Sequence, residues 1–138
     1  MTVFDQELIK LMNYFEQKTG AVVKDCFHDT LGKLTFVVAQ GDLGKALGKR
    51  AQHLKDLEKQ LGRRVRISEF APSRQELVQN LIAPLKVVDI EDRDDGLVVL
   101  KGGDERTNGL LIGKQARNLR NLEWMVRRFY EVQEIKVV

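Results

Sequence analysis

The feature that most constrains this chain is an internal duplication. At an offset of 65, Gly44-Lys45-Ala46-Leu47-Gly48-Lys49-Arg50-Ala51 falls on Gly109-Leu110-Leu111-Ile112-Gly113-Lys114-Gln115-Ala116. The match runs on through Leu54/Leu119, Leu57/Leu122 and Glu58/Glu123. Seven of fifteen aligned positions are identical, whereas average residue usage supplies about one by chance. The period is too long for common solenoid repeats, and two copies are too few to stack as an array. The 138 residues are therefore read as one small domain present twice.

Periodicity gives both copies the same order of elements. Phe4, Leu8, Leu11, Met12 and Phe15 recur at helical spacing, Thr2 can cap the start and Gly20 follows the last turn, which predicts a helix over Asp5 to Lys18. Ser73 and Glu76 have the spacing of a capping box ahead of Leu77, Val78, Leu81 and Ile82, and Pro84 limits that second helix. A hairpin follows each helix: Ala21 to Phe27 with Lys33 to Ala39, then Val87 to Glu91 with Leu97 to Lys101. Short helices are expected from Asp42 and from Thr107 or Asn108, both able to cap. The repeated Gly-Lys segments come next. After them the pattern predicts helices over Arg50 to Leu61 and Gln115 to Tyr130 and strands over Val65 to Phe70 and Glu134 to Val138. The fold class is α+β, an α-β-β-α-α-β unit occurring twice, with three helices on a three-stranded sheet in each. The expected domains are 1–71 and 72–138, with the boundary in Ala71-Pro72-Ser73.

Charge is segregated in the same way. Gly44 to Arg74 holds nine Lys/Arg against three Asp/Glu, and Lys101 to Arg128 seven against three, so the two stretches carry +10 and the remainder −7 of a net +3. Two basic stretches on an otherwise acidic chain suggest a localised anion-binding surface, although solvated helix faces would also produce the bias. No apolar run approaches the length of a membrane span, and the acidic start is unlike a signal peptide, so no membrane association and a cytoplasmic location are expected. A single cysteine, Cys26, agrees with a reducing compartment; with His28 and His53 it has no recognised metal-ligand spacing, and no metal or cofactor is expected.

The Gly-Lys segments sit between two helices, where a helix N-terminus, a bare glycine and a lysine favour an anion. They are not nucleotide-hydrolysing loops. The glycines are one residue closer than in GxxxxGK[ST], Arg50 and Gln115 stand where a magnesium-binding hydroxyl is needed, and GxGxxG is absent. No catalytic residues are expected.

The element order, with an apolar residue, Gly, Lys, any residue and a small residue between the second and third helices, resembles the type II KH domain. Two in tandem over about Val3 to Val138 resemble the archaeal NusA-like transcription termination/antitermination factors. The resemblance implies binding of single-stranded RNA, association with RNA polymerase and no catalysis. Carried over residue by residue, the KH loop falls on Gly48, Lys49, Arg50 and Ala51 and on Gly113, Lys114, Gln115 and Ala116, which would hold the phosphates of about four nucleotides per domain. Lys45, Arg50, Arg117 and Arg120 would extend the positive track, and bases would lie beside Leu47 and Ile112.

One departure occurs twice. The KH loop is G-x-x-G, and its fourth position here is Ala51 and Ala116. Alanine forfeits glycine's freedom at positive φ but is favourable in a helix start. If the position is helical, the loop can still clamp RNA; if RNA must touch it closely, the methyl weakens binding. A second function class therefore stands beside RNA binding, a protein-interaction adaptor docking on polymerase or the ribosome, whose loops have lost most of their RNA affinity. Among the remaining candidates, Leu54, Leu57, Leu119 and Leu122 read as core, Gly44 and Gly109 as sites of tight packing, and Trp124 and Phe129 as core or interdomain residues. The run Arg63, Arg64 and Arg66 is either a solvated strand edge or an RNA flank.

Overall fold

A computed structural model describes residues 5–138. The chain divides into two compact units, one ending at Phe70 and the other running Ala71–Val138. Ala71 belongs with the second because its carbonyl accepts a hydrogen bond from the Tyr130 hydroxyl at 2.6 Å.

In the first unit, α1 (Gln6–Thr19) leads into β1 (Val23–His28) and β2 (Leu34–Val38), then α2 (Leu43–Leu47), a 3-10 turn at Lys49–Ala51, α3 (Gln52–Leu61) and β3 (Val65–Glu69). The start of α1 is capped by Asp5, whose Oδ1 accepts from the Glu7 and Leu8 amides. Thr2 and Phe4, assigned to this helix from sequence, lie outside the described residues. Gly20 ends the helix at φ 78°, a left-handed conformation that glycine adopts without a Cβ clash. The expected hairpin is present: β1 and β2 pair antiparallel, Cys26 opposite Phe36. β3 joins parallel to β2, Leu34 opposite Val65, so β2 is central and buried along its length.

Period-2 alternation sends Leu34, Phe36 and Val38 into a core shared with Phe15 of α1, Ala46 of α2 and Leu57 of α3. Phe15 stacks on Phe36 with ring centroids 4.7 Å apart. All three helices thus contribute to one core with the sheet, the two-layer arrangement that amphipathic helices and a half-apolar sheet produce.

The second unit repeats the order: α4 (Arg74–Ile82), β4 (Asp89–Asp92), β5 (Leu97–Lys101), α5 (Glu105–Ile112), a 3-10 turn at Lys114–Ala116, α6 (Arg117–Val126) and β6 (Glu134–Val137). Ser73 caps α4 by accepting from the Glu76 amide, and Ala83, ahead of Pro84, is extended as a residue before proline should be. β4 pairs antiparallel and β6 parallel with β5. Val98, Leu100 and Ile135 of the sheet and Leu77, Leu81, Leu111, Leu119 and Leu122 of the helices are all buried.

Several boundaries differ from those read in the sequence; β1 and β4, for example, start two residues late, at Val23 and Asp89. α5 starts at Glu105 because Asp104, not Thr107 or Asn108, is its cap. The Asp104 carboxyl accepts from the Thr107 amide at 2.6 Å, and the hydrogen bonds from Thr107 hold its pKa below the ordinary value. Asp42 precedes α2 as expected but does not cap it; its Oδ2 accepts from the Val22 amide at 2.9 Å, tying the helix to the start of the sheet. α3 and α6 start two residues late, at Gln52 and Arg117, because the residues before them are left-handed. α6 ends at Val126 instead of Tyr130, where Arg127 turns its guanidinium onto the carbonyls of Val132 and Gln133 and fixes the approach to β6.

Candidate functional site

Each Gly-Lys segment forms the same turn. Gly48 and Gly113 have φ, ψ of 75°, 177° and 74°, 174°, a region open in practice only to glycine. Their amides donate to the carbonyls of Gly44 (3.0 Å) and Gly109 (2.8 Å), and their carbonyls accept from the amides of Ala51 (3.0 Å) and Ala116 (3.2 Å). The next turn is left-handed at two consecutive non-glycine residues: Arg50 (φ 54°) and Ala51 (φ 58°), then Gln115 (φ 55°) and Ala116 (φ 61°). Backbone of this kind costs an L-residue about 1–2 kcal/mol. Of the two outcomes left open for Ala51 and Ala116, the right-handed helical one is therefore not realised in either copy, and the methyl group sits where glycine would be unstrained.

A pair of residues that identity matching passed over braces the turns. His53 Nδ1 lies 3.0 Å from the Lys45 carbonyl, and Asn118 Nδ2 donates to the Leu110 carbonyl at 2.9 Å. His53 and Asn118 align at the same offset of 65. Both side chains lie over the glycine: a Cβ on Gly48 would come within 2.8 Å of the His53 ring, and one on Gly113 within 2.6 Å of Asn118. The signal in the sequence was a position polar in both copies but not identical.

The remaining sequence candidates sort by what they touch. Lys49, Arg50, Lys114, Gln115 and Arg117 are exposed at the turns, and among the described residues no ion pair occupies Lys49, Arg50, Lys114 or Arg117. No side chain caps the first turn of α3 or α6, in contrast to α1, α4 and α5. Leu47 and Ile112 are half-buried beside the turns. Lys45 is exposed, with its ammonium 4.0 Å from Asp42. Arg120 is drawn away: its guanidinium lies 3.1 Å from Glu123 and 3.9 Å from Glu134, so much of its charge is compensated.

Gly44 and Gly109 do not permit tight packing, contrary to expectation. A Cβ at either would meet nothing within 4 Å. Both lie on the exposed faces of α2 and α5, where glycine costs about 1 kcal/mol relative to alanine. The surface beside each turn is thereby bare backbone.

Leu57, Leu119 and Leu122 are buried. Cys26 is buried in β1, and among the described residues no three of His, Cys, Asp and Glu are grouped as metal ligands. Trp124 is half-buried with the Arg128 guanidinium 5.3 Å from its ring centre. Among the described residues no helix is long and apolar enough to cross a membrane.

No protein-family model matches the chain. Curated relatives do. A protein of Methanococcus vannielii named probable transcription termination protein NusA is 31% identical over 134 residues, covering 96% of this chain and 77% of the relative. Proteins of the same name from Halobacterium salinarum (27% identical, 99% of each chain) and Methanocaldococcus jannaschii (24%, covering 96% and 73%) are also similar. The crystal structure of APE1850 has the same fold, with a TM-score of 0.73 at 24% identity over 98% of this chain and 100% of that one.

Proposed function

The chain belongs to the archaeal NusA family of transcription termination proteins, and from that premise we propose that each unit is a type II KH domain holding single-stranded RNA at its Gly-Lys turn. The chain would act on the nascent transcript in association with RNA polymerase, modulating elongation or termination without catalysing a reaction.

The observation that carries this reading is the equivalence of the two turns. Each pairs a glycine-only conformation with an exposed lysine that, among the described residues, forms no ion pair, beside an uncapped helix start. Lys49 and Lys114 would meet phosphates, Arg50 and Arg117 would extend the positive track with Lys45, and bases would lie beside Leu47 and Ile112. The bare backbone at Gly44 and Gly109 gives a base or sugar room to approach. Arg120 contributes less in this scheme, being held by Glu123 and Glu134.

The adaptor reading has one observation in its favour, the strained Ala51 and Ala116. A salt-titrated binding assay on the full chain separates the two. Single-stranded RNA should bind, with an affinity that falls steeply as salt rises. Lys49→Glu with Lys114→Glu should abolish most of it. Unchanged binding by that folded double variant would remove these turns from the function, and binding of polymerase without RNA would select the adaptor.

A further inference from the structure

The two units agree at their Gly-Lys turns and differ in how the charges are paired at one end of their sheets. In the first unit this is the end where β1 finishes at His28 while β2 and β3 start side by side at Leu34 and Val65. Register alone brings Lys33, Arg63 and Arg64 together just beyond it. In the second unit the corresponding end carries Asp92, Asp94, Asp95 and Glu134, and its arginines are engaged: Arg93 with Asp95, Arg74 with Asp92, Arg120 near Glu134, and Arg127 on the carbonyls of Val132 and Gln133.

The carboxylates near the basic end are already committed. Asp29 is buried; its Oδ1 accepts from the amides of Leu31 (2.9 Å) and Lys33 (2.8 Å), and its Oδ2 accepts from Arg66 at 2.7 Å. Glu58 accepts from the Val65 amide at 2.9 Å. These acids hold the hairpin turn and the start of β3, and among the described residues Lys33, Arg63 and Arg64 form no ion pair. Arg63 instead donates to His28 Nε2 at 3.0 Å, since a guanidinium can only donate. Burial, then Arg66 and Arg64, lower the pKa of Lys33, and the Asp29 and Glu58 carboxylates offset only part of this.

We propose that Lys33, Arg63 and Arg64 form a second phosphate site, which takes the RNA strand beyond the nucleotides held at the Lys49 turn and has no counterpart in the second unit. The inference rests on the RNA-binding reading above. α3 separates the two sites by ten residues, or about 15 Å, a span that a few nucleotides of extended strand cover. Arginine forks match phosphate oxygens in pairs. A protein-docking patch would have an apolar centre, whereas of the exposed residues His28, Thr30, Leu31, Gly32, Arg63 and Arg64 at this end only Leu31 is a large apolar one.

The test uses the full chain and the exposed pair Arg63→Gln with Arg64→Gln, whose folding is checked by thermal unfolding. With single-stranded RNA of about twelve nucleotides, affinity should fall roughly three- to tenfold and the slope of log K against log salt should shrink by about 1.4, two phosphates' worth. With RNA of about four nucleotides, the length one turn holds, the loss should be absent. Asp94→Asn with Asp95→Asn should leave that slope unchanged. Equal affinity and slope in the Arg63/Arg64 variant, while the Lys49/Lys114 variant loses binding, would overturn the second site and leave the turns standing. No RNA binding by the unaltered chain would overturn both. Loss of self-association instead of RNA binding, seen by sedimentation, would reassign the basic end to contact with the carboxylates of another copy.

Discussion

Glu123 accepts the backbone amide of Ile135 at 2.7 Å, joining the middle of α6 to β6 from a side chain that is 2% exposed. Its aligned counterpart, Glu58, accepts the Val65 amide at 2.9 Å in the other unit. The identity Glu58/Glu123 is thus explained as a latch between the third helix and the last strand. Removing Glu123 strands a buried N–H and takes an ion-pair partner from the half-exposed Arg120 and Arg127. Glu123→Ala should destabilise the second unit by about 2–3 kcal/mol, and Glu58→Ala, at a half-buried site, should cost about 1 kcal/mol. Denaturant titration with amide exchange at Ile135 and Val65 checks both. Equal losses would show that burial of the latch does not matter.

Gly48 and Gly113 should not tolerate alanine. Both the backbone region and the overlying side chain oppose a Cβ, and the region alone costs about 1–3 kcal/mol. Gly48→Ala or Gly113→Ala should lower stability by at least that much and impair RNA binding at the affected turn. Removing the overlying side chain as well, as in Gly113→Ala with Asn118→Ala, should recover only the clash and leave the backbone penalty.

Ala51→Gly and Ala116→Gly should each stabilise the chain. Relief of left-handed strain is worth about 1–2 kcal/mol, and the added freedom of the unfolded chain takes back about 0.4–1. The net gain is about 0.5–1 kcal/mol per site, visible as a rise in Tm. Tighter RNA binding in the same variants would show that the methyl groups hinder the strand; unchanged binding would show that strain, not contact, is their whole effect.

Tyr130 should make stability fall at high pH. Burial first, and then the Glu76 carboxylate, raise its pKa above the ordinary 10.0, so the folded state favours the protonated phenol. Its contribution is complete below the unfolded value and is lost as pH rises through the folded one. Urea midpoints should therefore decline above about pH 10. Tyr130→Phe should remove the hydrogen bond to Ala71, costing about 1 kcal/mol at neutral pH, and lessen the alkaline decline. An identical decline in the variant would assign it to other groups.

The sequence alone determined the duplication, the order of elements and the position of both turns, because these depend on short-range signals. Apolar spacing along α1, Gly20 and Gly62 at helix ends, and Ser73 ahead of α4 all act within a few residues of themselves. The handedness of Arg50, Ala51, Gln115 and Ala116 was beyond such signals. Alanine prefers the right-handed helix, and only closure of each turn between its glycine and the following helix forces the other sign of φ. Charge was legible as a sum but not as a surface. Arg66 is neutralised by Asp29, 37 residues away, and Arg74 by Asp92, 18 residues away, while among the described residues Lys49 and Lys114 form no ion pair. Which cations are left for a ligand depends on contacts made only after the chain has folded, so the tertiary structure decided it.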